Sequence, residues 1–132
     1  MTEKETITIL NNKYNLNLTL AKDRYSSYDA ESDGLIVEVK NRRKYYREKI
    51  IEAAKLFVNF QKAQLKDKYF IYVVSDEKGM WIYNISKHIR TITESPAKGI
   101  MQPAKTDFDS HKGKILKYSY FLDEKMAIYL EV

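Results

Sequence analysis

Asp29, Glu38 and Lys40 are the residues whose types and spacing could do chemistry. Residues 35–40, Leu-Ile-Val-Glu-Val-Lys, read as a branched, apolar strand. On a strand Glu38 and Lys40 point to the same side, and Leu35, Val37 and Val39 to the other. The expectation is therefore one wet face carrying an acid and a base, over a dry floor. Glu31-Ser32-Asp33-Gly34 has the composition of a turn, and Asp33 beside Gly34 is read as turn chemistry. A four-residue turn pairs Ala30 with Leu35 and Asp29 with Ile36, which puts Asp29 on the face of Glu38 and Lys40. A one-residue bulge would reverse that. Two carboxylates and an ammonium converging on one patch suit a hard cation. Mg²⁺ takes oxygen ligands and keeps several waters, so one or two carboxylates are enough. Such an ion polarises a phosphoryl oxygen and acidifies a bound water, and Lys40 could position that water or stabilise charge developing on phosphate.

The surrounding elements must hold those side chains in place. Residues 2–14 read as a helix capped by Thr2, with Glu3, Ile7, Leu10 and Tyr14 on one stripe. A first strand begins near residues 18–20, and residues 27–30 form a short strand that pairs with 35–40 as a hairpin. Residues 45–66 read as one long helix, with Arg47, Ile50, Ile51, Ala54, Phe57, Val58, Gln61 and Leu65 facing inward. Residues 69–75 are a nearly continuous apolar run, as expected of a strand buried on both faces. A turn over 76–79 leads to a strand over 80–85, and Ser86 could cap a short helix over 87–92. Residues 93–113 hold both prolines and read as a long loop. Residues 115–122 and 126–132 read as a last hairpin. The order predicts a single α/β (α+β) domain spanning 1–132.

Composition narrows the classes. The 132 residues suffice for one core. The absence of cysteine excludes disulfides, thiolate metal sites and cysteine nucleophiles. No apolar run approaches a membrane span and the first ten residues do not read as a signal peptide, so a cytoplasmic location is expected, in a host cytoplasm if the source is viral. The net charge of +5 suits a polyanionic partner, and Lys40, Arg42, Arg43, Lys44, Arg47 and Lys49 concentrate it within ten residues. A solvated helix start would look the same. Eleven tyrosines could stack on bases or line a core edge. His88 and His111 are too few and too far apart for a recognisable zinc site.

The pattern Asp29, then Glu38-Val39-Lys40 on the next strand, resembles the PD-(D/E)xK nuclease superfamily, with Tyr28 standing where the family has proline. The motif itself is short, and the order of elements over residues 3–85 carries the rest of the resemblance. It implies a restriction-endonuclease-like core: a mixed central sheet flanked by an N-terminal helix and a long helix after the motif strand. It also implies metal-dependent hydrolysis of DNA, with Asp29 and Glu38 holding Mg²⁺ (Mn²⁺ substituting) and Lys40 assisting the attacking water. Many members add a glutamate from the first helix. Glu3 lies on the inward stripe and is preferred to Glu5, although acids also favour a helix N-terminus for its dipole. Gln61 could help order the site or be a satisfied core amide.

Small size and the lack of a specificity domain make the chain similar in style to phage and archaeal Holliday-junction resolvases, with roles in DNA recombination and repair. That likeness implies branched DNA as substrate and a homodimer, for which Tyr45, Tyr46 and the last hairpin are interface material. Arg42, Arg43, Lys98, Gln102, Lys105, Thr106 and His111 are expected to contact phosphates. A non-catalytic nucleic-acid-binding module, a general or RNA-directed nuclease, and a domain binding an acidic protein are the other readings.

Overall fold

A computed structural model describes residues 1–103 and 114–132. In chain order the elements are α1 (Glu3–Tyr14), β1 (Thr19–Leu20), β2 (Ala30–Glu31), β3 (Leu35–Asn41), β4 (Lys49–Glu52), α2 (Ala53–Leu65), β5 (Tyr69–Asp76), β6 (Gly79–Asn84), α3 (Ile85–Thr93), β7 (Lys98–Pro103), β8 (Lys114–Leu122), a 3-10 turn (Glu124–Met126) and β9 (Ile128–Leu130). A six-stranded sheet runs β1-β2-β3-β5-β6-β9, and a three-stranded sheet runs β4-β8-β7. Only β3 and β5 are parallel, so the main sheet is mixed, as expected.

Each face of the main sheet has its own core. On one side Ile7 and Leu10 of α1 pack with Val37, Val39, Val73 and Met80. On the other, Leu56 and Ala63 of α2, Ile85 and Ile92 of α3, and Ile51 and Leu122 of the small sheet cover Ile36, Tyr72, Val74 and Tyr83. This corrects the expectation of a wet face on β3. Its partners on both sides make β3 a central strand, and a central strand between two covering layers is buried on both faces. Ile36 is fully buried, and only the far end of that face, at Glu38 and Lys40, borders an opening.

α1 begins as its sequence predicts. The Thr2 hydroxyl accepts the Glu5 N–H at 3.1 Å, and Asn15 ends the helix in the left-handed region with φ 54°. The long helix expected over 45–66 is instead a strand and a shorter helix. Ile50 and Ile51 are β-branched, and residues 49–52 find a ladder partner in β8, with Ile51 opposite Tyr120. Starting at Ala53 resets the helical phase. Leu56, Asn59 and Ala63 now face inward, whereas Phe57, Val58, Gln61 and Leu65 are exposed. Gln61 therefore points away from the core.

The C-terminal hairpin expected over 115–132 does not form. β8 pairs with β4 and β7, whereas β9 crosses to the edge of the main sheet and pairs with β6. The expected loop over 93–113 contains β7, because residues 98–103 meet β8 in antiparallel register. α3 is capped by Asn84 rather than Ser86, and the Ser86 hydroxyl instead accepts the Phe70 N–H at 2.8 Å. No helix among the described residues is long and apolar enough to cross a membrane.

Candidate active site

β2 and β3 pair with Ala30 opposite Val37 and Glu31 opposite Ile36, two residues away from the register expected. The Ser32 N–H bonds the Leu35 carbonyl at 2.9 Å, so only Asp33 and Gly34 make the corner and Glu31 belongs to the strand. A shift of two preserves the side on which every residue points. Ala30 stays with Val37 in the α1 core, and Asp29 stays on the face of Glu38.

Asp29 is fixed by the backbone around it. Its N–H donates to the Val37 carbonyl at 2.8 Å, and its Oδ2 accepts the Val39 N–H at 2.7 Å. Glu3, in the first turn of α1, comes within hydrogen-bonding reach of Asp29. Burial first, and then the Asp29 carboxylate, raise its pKa. Glu5 is exposed. Glu38 is sealed at 7% exposure, and burial followed by the Asp29 charge pushes its carboxyl up to about 7, with Glu3 adding to the repulsion. Glu3 of α1, Asp29 just before β2 and Glu38 of β3 thus act on one another electrostatically.

Lys55, which sequence reasoning passed over, sits in the first turn of α2 with its Nζ 3.0 Å from Glu38 Oε1. Burial draws its ammonium down, but Glu38 and Asp29 outweigh burial and leave the pKa above the ordinary lysine value. The lysine restrains Glu38 without cancelling what burial and Asp29 do. Lys55 was hidden because the expected helix had the wrong phase. Restarting that helix at residue 53 places Lys55 on the same side as the inward Asn59.

Glu38, Lys40, Arg42, Ile50, Glu52, Lys55 and Tyr72 line one cleft. Lys40 is half-buried there on the face of Glu38. The Tyr72 phenol donates to the Ile50 carbonyl at 3.1 Å and ties β5 to the small sheet under the cleft. Glu52 is joined to Lys117 of β8 at 3.3 Å. The oxygen donors fit a hard divalent cation in type. Among the described residues, no three acidic, histidine or cysteine side chains stand close enough to form a closed metal cage. The fit is therefore to an ion that keeps most of its waters and takes one or two carboxylates, as Mg²⁺ does.

The expected phosphate contacts divide. The Arg42 N–H continues the β3–β5 ladder to the Ser75 carbonyl at 2.8 Å, and its guanidinium lies 5.8 Å from the Tyr46 ring centroid. A second groove beside the cleft is lined by Arg42, Tyr46, Arg47 and Phe121, and Lys98 reaches over the Phe121 ring at 5.3 Å. Arg43 is exposed next to it. Lys105, Thr106 and His111 lie outside the described residues, as does the side chain of Gln102. The Tyr45 phenol donates to Glu124 at 2.7 Å and its ring packs on Trp81 at 5.5 Å.

No known family profile matches the sequence, and no curated protein matches it. A solved structure does match in shape: Hjc from Archaeoglobus fulgidus, described as a Holliday junction resolvase from an archaeal hyperthermophile. The similarity has a TM-score of 0.57 at 12% identity, covering 98% of this chain and 95% of that one. This protein shares the fold of that resolvase, with a mixed central sheet and, among the described residues, three helices.

Proposed function

We propose that this chain is a Mg²⁺-dependent endonuclease that hydrolyses DNA phosphodiesters and prefers branched DNA. The observation that carries the reading is the placement of Asp29 opposite Glu38, which shares one cleft with Lys40, while Asp29 and Glu3 act against the Glu38 charge. Burying a carboxyl beside another carboxylate is unfavourable unless something offsets it, and perturbed groups of this kind cluster at functional sites. Asp29 and Glu38 would hold the cation, with Glu3 completing the set through the ion's waters. When bound, the ion supplies a polarised phosphoryl oxygen and an acidified water. Lys40 orients that water or meets the charge developing on phosphate, and Lys55 holds Glu38 in place until the ion arrives. The backbone bond from Val39 fixes Asp29 in advance, so its position requires no reorganisation.

The preference for branched DNA and the homodimer rest on the likeness to a resolvase, and one surface feature supports the dimer. Met101 and Leu116 are paired across β7 and β8, and Tyr118 lies two residues on. All three share one face and are 56%, 53% and 59% exposed. Large exposed apolar side chains in one place mark an interaction surface. Sedimentation should give twice the chain's mass, and Leu116→Glu should return it to one chain.

The first test is cleavage of labelled four-way junction, duplex and single-stranded DNA with Mg²⁺, Mn²⁺ or chelator. Metal-dependent cutting that Glu38→Ala and Lys40→Ala both abolish supports the site, and the preferred substrate tests the branched-DNA assignment. Binding without cutting in either metal overturns the enzyme and favours a binding module.

A further inference from the structure

α2 carries a polar stripe that the carboxylate cleft does not use up. At 100° per residue, Lys55, Asn59, Lys62 and Lys66 fall within about 60° of one another. Each contacts the segment between β1 and β3 or β3 itself. Lys55 holds Glu38, and the Asn59 amide donates to the Ser27 carbonyl at 2.9 Å. Lys62 donates to the Ser27 hydroxyl at 2.7 Å, and Lys66 to the Tyr28 hydroxyl and Glu31 at 3.0 Å. The stripe therefore leads out of the cleft along the seam between α2 and residues 21–28, for about 16 Å at the helical rise. Beyond Ser27 the seam opens into a groove lined by Lys22, Lys62 and Lys66, the rings of Tyr25 and Tyr28, and the carboxylates of Asp23 and Glu31. Tyr25 is 79% exposed, and Arg24 lies 4.9 Å from its ring centroid.

Lys55 and Lys66 each answer a carboxylate, whereas Lys62, with Lys22 and an exposed ring beside it, matches a polyanion whose bases are available for stacking. Lysines follow a phosphate backbone without reading sequence, and an aromatic face stacks on any base that is not already paired. Lys62 meets a neutral hydroxyl in this seam, so that contact leaves its charge for an anion. Duplex DNA keeps its bases stacked inside the helix and gives Tyr25 nothing to stack on.

We infer that Lys62, Lys66 and Tyr25 form a track for an unpaired DNA strand leaving the carboxylate cleft, on the side of the site away from Arg42 and Lys98. The inference rests on the nuclease reading and deepens it: the substrate has a single-stranded arm next to the scissile bond.

The test is fluorescence anisotropy of the full chain with Ca²⁺ in place of Mg²⁺, on a flap DNA and on a blunt duplex of the same length. Tyr25→Ala should weaken flap binding roughly tenfold. Lys62→Gln should weaken it several-fold and lower the salt dependence by somewhat under one unit. Both should leave the duplex unchanged, and Arg42→Ala should weaken both DNAs. Wild-type flap binding in both Tyr25→Ala and Lys62→Gln, with Arg42→Ala still impaired, overturns the track and leaves the nuclease reading standing. Equal losses on flap and duplex overturn the unpaired strand. If the wild-type chain binds neither DNA, the track and the nuclease reading fall together.

Discussion

Glu38 and Lys49 are both nearly sealed from solvent, at 7% and 2% exposure, yet the protein treats their charges in opposite ways. Lys49 is satisfied on every side. Its Nζ lies 4.1 Å from the Tyr45 ring centroid and 3.8 Å from that of Trp81. It donates to the Tyr46 carbonyl and pairs with Glu124 at 3.5 Å. Burial lowers its pKa, and Glu124 and Asp76 work against that. Glu38 is bonded by Lys55, but burial and the charges of Asp29 and Glu3 work against its carboxylate. Lys49 fastens β4 and the 3-10 turn to the main sheet, as a buried charge with full partners can. Glu38 is left in conflict, and the conflict points outward, to something that is to be bound. The difference separates a structural charge from a functional one more sharply than burial alone.

Removing the two charges should have opposite effects on cleavage and stability. Glu38→Gln should cut cleavage on the order of a thousandfold, about 4 kcal/mol at the transition state, in single-turnover assays. Thermal unfolding of the same variant without metal should show equal or higher stability, because a carboxylate in conflict has been neutralised. Greatly reduced stability in Glu38→Gln would make Glu38 structural after all. Lys49→Ala should do the reverse. It removes two cation–π contacts and leaves Glu124 without its cation, at a cost of about 3 kcal/mol in urea unfolding. Cleavage well below the melting point should persist.

The same contrast explains what the sequence could reveal. Asp29, Glu38 and Lys40 were legible because strand alternation puts alternate residues on one face, and a register error of two leaves the alternation intact. The stripe of Ile7 and Leu10 was legible as a buried face, but Glu3, at its exposed end, is not buried with them. The cage around Lys49 was not, because Tyr45, Trp81 and Glu124 come from distant parts of the chain and no local period connects them. Lys55 was lost with the phase of α2. Residues 45–52 carry enough helical spacing to extend the helix on paper, and only pairing with β8, some seventy positions later, makes them a strand. β8 and β9 were misjoined for a related reason: Asp123-Glu124-Lys125 has turn composition, but nothing local says that the two strands belong to different sheets.

Metal-free stability should follow pH through Glu38. Its pKa is about 7 in the folded chain against an ordinary value of 4.5, so the folded state holds the proton more tightly. Between those values unfolding releases a proton, and stability falls as pH rises. The fall should be on the order of 2–3 kcal/mol between pH 4.5 and 7, levelling off above. It should vanish in Glu38→Gln. A divalent cation should raise the melting temperature more at pH 8 than at pH 5, since it competes with the proton for the same oxygens. A pH profile identical in Glu38→Gln and wild type would remove Glu38 as the titrating group.

Glu31 is the opposite case to Glu38 and carries the smallest expected effect. It is a carboxylate one strand away, but its neighbours are Lys66 at 3.0 Å and Lys68 at 2.7 Å. Hydrogen bonds from Lys68 and then Lys66 hold its pKa down at about 2. The sign is therefore opposite to that of Glu38: its contribution is present above pH 4.5 and is lost as pH falls through about 2. Because the side chain is 31% exposed, solvent screens the pairs, and Glu31→Gln should cost less than about 1 kcal/mol at pH 7. High salt should shrink that cost further, whereas the rise in stability on protonating Glu38 should persist, because a buried group is screened less. Unfolding curves at pH 3, 5 and 8, each in low and high salt, measure both signs in one experiment. If Glu31→Gln proved as costly as Lys49→Ala, partner geometry rather than burial would be governing these charges.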